Sequence, residues 1–517
     1  MNSRGTFFRI MFALAIVWAI YLRFWGTWNR SLWMDEAAVA NMVLDTSWTG
    51  LFTQTDIPVA PLFAVLVKFT GSLIAPPEVG YRLIPIIAGI LCIPLVYLVM
   101  RSMRIPPAPS LFAMAICASS PWLVIWSREL KQYEVEALTS LILALCVMKL
   151  LYGPSDTRRL VWAIVAAITC LIAPWLGYGF LFAAFALFLA LVIIRPKAGS
   201  RPFAVITAVV SVLVMLLSTA LLLHLLARGQ ADHEALRSFM SPWFIDLTSP
   251  HSIARAAGYM LSDGSIMVVP YYRWIWPFTN SAIVGALVWL LILFGLWTWP
   301  RRTRMLMVIW IFGIWGGVAL AAIARQYPFG AVRMLVFMAP PMTCAMAMGI
   351  LGFLRYLPTS GISPSVFTRA TLIASFLPVL YLVWLPIGND YWVNQDFKAA
   401  LGALGERRAP NEHVFVSLDA VQSVRFYARG KDAGFDYVPV TNGTRPVPNY
   451  DYQDLARRVI ADYDDRCWML TIGRTSEQSW QSFITEARKR GYTSTLVCEE
   501  GGVNGAGRAQ LFMLERR

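Results

Sequence analysis

FFRIMFALAIVWAIYLRFWGTWNRSLWMDEA (residues 7–37) decides how the chain is read. It begins with an apolar run over 7–25, long enough for one membrane crossing, behind Arg4 and Arg9. A basic start and an apolar run would suit a secretory leader. However, no small-x-small cleavage site follows, and residues 21–29 are bulky and aromatic. The run therefore reads as an uncleaved first helix. Two adjacent carboxylates, Asp35 and Glu36, stand just beyond it.

The rest of the chain repeats the apolar theme. Of 517 residues, 57% are hydrophobic and 14% charged, against about 45–50% and 25% in a soluble domain. One water-soluble core could not hide that much apolar surface, because a folded chain keeps a hydrated exterior. This excludes a soluble globular enzyme, a disordered chain and a collagen-like fibre. The 21 tryptophans, 19 tyrosines and 29 phenylalanines suit aromatic belts at two bilayer interfaces. Spans are expected at 7–25, 81–100, 107–127, 133–152, 159–176, 178–194, 203–224, 279–299, 305–324, 335–354 and 370–388, about eleven helices.

The net charge of +14 is unevenly placed. Residues 389–517 carry 17 Lys/Arg and 17 Asp/Glu, so the whole excess lies in 1–388. There, every second connection is basic: Arg4/Arg9, Arg101/Arg104, Lys149 with Arg158/Arg159, Arg195/Lys197/Arg201, Arg301/Arg302/Arg304 and Arg355/Arg369. Those loops hold 15 basic residues and one acid, Asp156. The positive-inside rule puts them and the N-terminus in the cytosol. Such a distribution fits membrane topology rather than a nucleic-acid groove. An odd number of spans then leaves 389–517 outside. The expected organisation is a transmembrane domain, 1–388, with outer loops 28–80 and 225–278, in an inner (cytoplasmic) membrane. A periplasmic or extracellular α/β domain, 389–517, follows.

Within the first outer loop, the apolar stretch 59–73 is interrupted by Lys68 and is short for a span. It reads as an interfacial helix. The tail reads as strands at 413–418, 468–472, 493–498 and 509–515, with helices at 420–428, 451–463 and 479–490. That alternation suggests a small α/β sandwich. Five of the seven cysteines fall in apolar spans, as small hydrophobes do. The other two, Cys467 and Cys498, sit on strands joined through a helix, which implies a parallel pair with the sulfurs at opposite ends. At about 3.3 Å per residue that separates them by roughly 15 Å, too far for a disulfide.

Three clusters could carry chemistry. Asp35-Glu36 is the sharpest, since acids at a membrane boundary are commonly functional; they also suit a helix N-terminus. Ser127-Arg128-Glu129-Leu130-Lys131-Gln132-Tyr133-Glu134 marks the next outer boundary, as a binding segment or a solvated helix cap. Arg325-Gln326-Tyr327-Pro328-Phe329-Gly330-Ala331-Val332-Arg333 lies between the ninth and tenth expected spans. Two arginines and a tyrosine there would suit a phosphate, because guanidinium forks bind oxyanions in bidentate fashion; interfacial anchoring would use the same residues. His224, His233, His251 and His413 show no HxxxH or HExxH spacing, and no metal site is assigned. There is no Walker loop, dinucleotide motif or Gly-x-Ser-x-Gly elbow.

With a basic N-terminus, a first span and an Asp-Glu pair in the first outer loop, the chain resembles the GT-C glycosyltransferases. Protein O-mannosyltransferases and lipid A aminoarabinose transferases are the nearest in kind. Tyr81-Arg82-Leu83-Ile84-Pro85 is similar to their Arg-Leu-Pro element. Thr55-Asp56-Ile57-Pro58 is similar to a loop in which several carry Asp-Lys-Pro-Pro, whose lysine meets the donor phosphate. Here Ile57 takes the lysine's place and Val59 follows Pro58, which leaves Lys68 or an arginine for that role.

The resemblance implies a polytopic GT-C-like fold with an outer soluble domain, and a polyprenyl-phosphate sugar as donor. Asp35 would be the general base, and Glu36 would orient the acceptor or cap the helix. Arg333, Arg325, Tyr327, Arg82, Arg128, Lys131 and Tyr133 would be the candidates for the donor phosphate, with Asp56 and Lys68 in the acceptor loop. Transfer would invert the sugar and end on a hydroxyl of a lipid, glycan or protein. Membrane lipids are the other expected partners; nucleic acid is not one, and a divalent metal has no support in the sequence. The alternatives are a transporter or flippase for an anionic lipid, or a non-catalytic scaffold. The first would want charges at mid-membrane and often internal repeats, whereas the span centres are nearly charge-free. With one face of the membrane domain holding the excess charge, a reporter fused after Arg517 should be active only in its extracytoplasmic form. Activity of a cytosolic reporter at that position would reverse the assigned topology.

Overall fold

The computed structural model describes residues 3–53, 57–153, 158–196, 201–226, 238, 240–266, 282–330, 332–356, 396–410, 412–417, 420–429, 435–437, 466–472, 477–500 and 509–516. Ten of the eleven expected spans have a helical counterpart among them. The eleventh, 370–388, lies outside the described residues, as do the domain boundary at 389, Asp56 and the helix expected at 451–463.

The membrane part consists of α1 Ser3–Phe24, α4 Pro77–Ser102, α5 Pro107–Ser119, α6 Pro121–Ser127, α7 Tyr133–Tyr152, α8 Arg158–Ile172, α9 Phe180–Ile193, α10 Arg201–Leu226, α12 Ala282–Thr298, α13 Arg301–Ile323 and α14 Ala339–Tyr356. Between these come α2 Met34–Asp45, α3 Pro61–Leu73 and α11 Pro250–Ile266. Seven of the described helical segments are long and apolar enough to cross a membrane, and others are shorter apolar helices. The protein is a multi-pass membrane protein. At 13 residues, α3 is short for a span, as its sequence suggests.

Proline chemistry alters one expectation. The span read at 107–127 is two helices, because Pro121 has no amide hydrogen to continue α5. It starts α6 instead, where that missing donor costs nothing, and the Ser120 hydroxyl accepts from Leu123 N at 3.5 Å.

Small residues set the closest helix contact. A Cβ on Gly295 of α12 would lie 1.9 Å from the Ala345 carbonyl oxygen of α14, and one on Gly349 would lie 1.9 Å from the Leu291 oxygen. The two helices meet backbone to backbone, which glycine permits and any side chain forbids.

The C-terminal domain is built on a five-stranded sheet of order β2-β1-β3-β5-β4, with β1 Val414–Val416, β2 Phe435–Tyr437, β3 Arg466–Ile472, β4 Tyr492–Glu500 and β5 Ala509–Arg516. Strands β2, β1 and β3 run parallel, and β5 is antiparallel to both its neighbours. Its helices are α15 Phe397–Arg407, α16 Val421–Tyr427 and α17 Glu477–Lys489. Cys467 lies on β3 and Cys498 on β4, and the expected neighbouring pair of strands is corrected. Strand β5 inserts between them, opposing Cys467 with Leu514 and Cys498 with Leu511.

Three apolar clusters join these parts. The largest fills the membrane helices. A second is centred on α2 and α3, with Phe426 and Tyr427 of the C-terminal domain packed against it. The third is the core of that domain, and Met34 of α2 packs against it. Gly349→Ala should force α12 and α14 apart and lower the thermal midpoint in detergent, since overpacking costs about 1–3 kcal/mol. An unchanged midpoint would show that the helices can slide at no cost.

Candidate active site

Asp35 and Glu36 occupy the first turn of α2, where the helix dipole favours carboxylates. Successive helical residues point about 100° apart, and the two acids meet different surroundings.

Glu36 is fully buried. One carboxylate oxygen accepts from Arg82 Nε at 2.8 Å and from Leu130 N at 2.7 Å. The other accepts from Arg82 Nη2 at 2.5 Å and from Trp33 N at 3.3 Å. Arg82, on α4, has no exposed surface either. Its Nη1 also donates to the Arg30 carbonyl at 2.7 Å, and its Nη2 to the Ser31 carbonyl at 2.8 Å. The irregular backbone before α2 is thereby tied to the membrane helices. Beside it, Glu129 forms an ion pair with Arg30 and accepts from the Trp33 indole nitrogen.

The two buried acids are held differently. Burial pushes Glu36 toward protonation, but the charge and hydrogen bonds of Arg82, with Arg30 and the Leu130 amide, outweigh it and hold the carboxyl below its usual range. At Glu129 burial wins over Arg30 and raises the pKa, with the charge of Glu36 adding to the effect.

Asp35 is partly exposed. Its Oδ2 lies 3.2 Å from Arg333 Nη1, and the side chains are 27% and 32% exposed, enough to meet a ligand. Arg333 lies in the tight helical stretch Val332–Met338 that leads into α14. Tyr133 and Glu129 are electrostatic neighbours of Arg333. Lys131 is partly buried, and its ammonium has Asp35 and Arg333 as neighbours. Burial lowers its pKa against the pull of Asp35, and Arg333 adds to the lowering. Three remote segments thus place Asp35, Lys131, Tyr133 and Arg333 together.

Other expected site residues lie elsewhere. Arg82 does not face a ligand, because its donors are committed to Glu36 and to carbonyls; Glu36 is likewise a buried strut rather than an open base. Arg128 is buried and donates to the Trp25 carbonyl at 2.6 Å. Burial, with Arg30 and Arg82 nearby, pushes its pKa down to about 9. Tyr327 donates to the Met334 carbonyl at 2.7 Å and packs edge-on against Phe182. Arg325 is exposed, with Asp246 in its field. Lys68 donates to the Val43 and Thr46 carbonyls at 2.6 and 2.7 Å, closing the C-terminal end of α2. The sequence assigned Arg82, Arg128 and Tyr327 to a phosphate and Lys68 to the acceptor loop, whereas here their donors are engaged by protein groups. Sequence reading passed over Arg30, and it named Glu129 only as a member of the 127–134 cluster, with no role of its own. A charged pair 99 residues apart leaves no local pattern. Among the described residues, no group of three His, Cys, Asp or Glu side chains could hold a metal ion.

No family model matches the chain, and no curated protein matches it by sequence. Solved structures do match. ArnT from Cupriavidus metallidurans in the apo state aligns over 99% of this chain and 98% of its own, at 13% identity and a TM-score of 0.57. The chain has the GT-C fold. ArnT bound to undecaprenyl phosphate aligns over the same shares at 13% identity and a TM-score of 0.54. The archaeal oligosaccharyltransferase AglB from Archaeoglobus fulgidus, in complex with an inhibitory peptide and a dolichol-phosphate, aligns over 96% of this chain and 73% of its own, at 12% identity and a TM-score of 0.55. On this GT-C fold the acidic pair divides into a buried strut, Glu36, and an open carboxylate, Asp35.

Removing one partner of a buried pair costs about 3–5 kcal/mol. Arg82→Ala should therefore lower folded yield and thermal midpoint, and Arg82→Lys should restore little, because lysine lacks the planar fork. The sign of the pH effect follows from Glu36, whose pKa is depressed on folding. Its stabilisation is complete above the unfolded value of about 4.3 and is lost as pH falls through the folded value. The midpoint of Glu36→Gln should be lower at neutral pH and fall less steeply in acid than the wild type's; equal acid slopes would count against the strut.

Proposed function

We propose that the protein transfers a sugar from a polyprenyl-phosphate donor to an acceptor hydroxyl at the outer face of the membrane, inverting the anomeric centre. The observation that carries this reading is the open Asp35 carboxylate 3.2 Å from Arg333, with Lys131 and Tyr133 beside them. A base and an anion-binding group stand together at a boundary of the membrane helices. Similarity to a protein solved with undecaprenyl phosphate and to one solved with a dolichol-phosphate supports a lipid phosphate as the donor's carrier.

In this reading the lipid tail lies between helices, and Arg333, with Lys131 and Tyr133, holds the phosphate. The acceptor oxygen attacks the anomeric carbon as Asp35 takes its proton. The new carbon–oxygen bond forms as the bond from that carbon to the phosphate oxygen breaks. The polyprenyl phosphate leaves with the bonding pair, and the cationic groups stabilise its growing charge. A phosphate is a good leaving group, so one base suffices. The N-terminus and basic loops would face the cytosol, and residues 389–517 would form the outer domain of an inner-membrane enzyme.

Asp35→Asn keeps the shape and removes proton acceptance. Turnover should fall about 10²–10⁴-fold, with folded yield unchanged; full activity of the purified variant would remove Asp35 from the mechanism. Arg333→Ala should weaken binding of undecaprenyl phosphate by about one to two decades, as expected for a lost charge-assisted bond. Arg333→Lys should recover part of it. Affinity equal to wild type in Arg333→Ala would end the phosphate assignment.

A further inference from the structure

We propose that the C-terminal domain is a working part of this site and that Tyr427 is a positioning residue for Asp35. This rests on the catalytic reading of Asp35, whereas the contacts that carry it are independent of the donor.

The domain holds α2 at three points. At its leading end, the Tyr427 hydroxyl accepts from Leu32 N at 2.7 Å and donates to Glu78 at 3.4 Å. Leu32 is fully buried, so its amide has no water to turn to. The Ser31 hydroxyl donates to Asp396, the residue that caps α15. In the middle, Asn41 Nδ2 donates to the Gln422 carbonyl at 2.8 Å, and its Oδ1 accepts from Arg429 at 3.2 Å. At the trailing end, Asp45 pairs with Arg429 at 2.7 Å and Arg425 at 3.2 Å. Apart from the Asp396–Ser31 bond, these grips come from α16 and the residues just after it.

Three grips along one helix fix its rotation as well as its place. Rotation matters here because Asp35 and Glu36 differ by about 100° around the axis. With Glu36 held by Arg82 on one side, the α16 contacts on another keep Asp35 aimed at Arg333. Tyr427 acts on the backbone three residues before Asp35 and touches no reacting group. Burial and the charge of Glu78 raise its pKa, so it stays a neutral hydroxyl able to accept from Leu32 and donate to Glu78 together.

The test uses the full chain in lipid nanodiscs, with Tyr427→Phe, which keeps the ring, and Arg429→Gln, which leaves the domain core untouched. Hydrogen exchange is read at amides 32–36, and carbodiimide labelling of the Asp35 carboxyl is read by mass spectrometry. Tyr427→Phe should speed both by about five- to tenfold, the equivalent of one buried hydrogen bond. Exchange in β1 and β3 should stay at the wild-type rate, which a merely structural role for Tyr427 in its own domain would not allow. Arg429→Gln should speed exchange over 41–46 and Asp35 labelling, by a smaller factor. Wild-type labelling of Asp35 in both variants overturns the proposal. If β1 loosens in Tyr427→Phe, the Arg429→Gln result decides alone. Binding of undecaprenyl phosphate to wild type and Arg333→Ala is measured in parallel. Equal binding there defeats the phosphate reading and leaves the clamp standing, and the reverse pattern defeats the clamp alone.

Discussion

The buried pair of Glu36 and Arg82 is the constraint around which the end of the membrane domain that carries α2 is organised. Neither side chain reaches water, and isolated charges in such a place would be prohibitively costly. Each is tolerated because its polar atoms are met: two oxygens by four donors, and the guanidinium by a carboxylate and three carbonyls. Such pairs add little net stability over an apolar replacement but penalise any arrangement that separates them. The pair therefore acts through geometry. It locks the start of α2 to α4 and to the loop before α7, and the position of every residue on α2 follows.

The same charge chemistry serves two ends in neighbouring pairs. Arg30 and Glu129 are nearly inaccessible and neutralise one another, as a frame should. Asp35 and Arg333 are paired too, but at 3.2 Å with about a third of each side chain exposed. A pair that is loose and partly wet can be opened by a competing anion at modest cost. The distinction between frame and working surface rests on solvation and on the number of hydrogen bonds, since both are pairs of an arginine and a carboxylate.

The membrane helices were legible in the sequence because hydrophobic length is a one-dimensional property. Where that reading slipped, at 107–127, a single proline broke a run whose hydropathy is continuous. Asp35 and Arg333 stand out in the sequence as charges at expected span boundaries, and the fold brings them to 3.2 Å. What the sequence could not distinguish was which charged residues face inward. Arg82 and Arg333 look alike as letters, and only the fold makes one a strut and the other an open cation. Tyr427 had no signal at all, because a hydroxyl that satisfies an amide 395 residues away belongs to no motif.

That separation has a consequence for biosynthesis. The bonds from Ser31 to Asp396 and from Leu32 to Tyr427 span 365 and 395 positions, so they close only after residues 396 and 427 have left the ribosome. Domains form in order of emergence during synthesis, and contacts of such high order come late. The membrane helices can insert and pack around an unfinished site, while the segment bearing Asp35 waits for Asp396 and Tyr427 to arrive. A chain stalled or clipped before residue 396 would keep its bundle but lack these bonds. Completion of the site thus waits on residues 396 and 427.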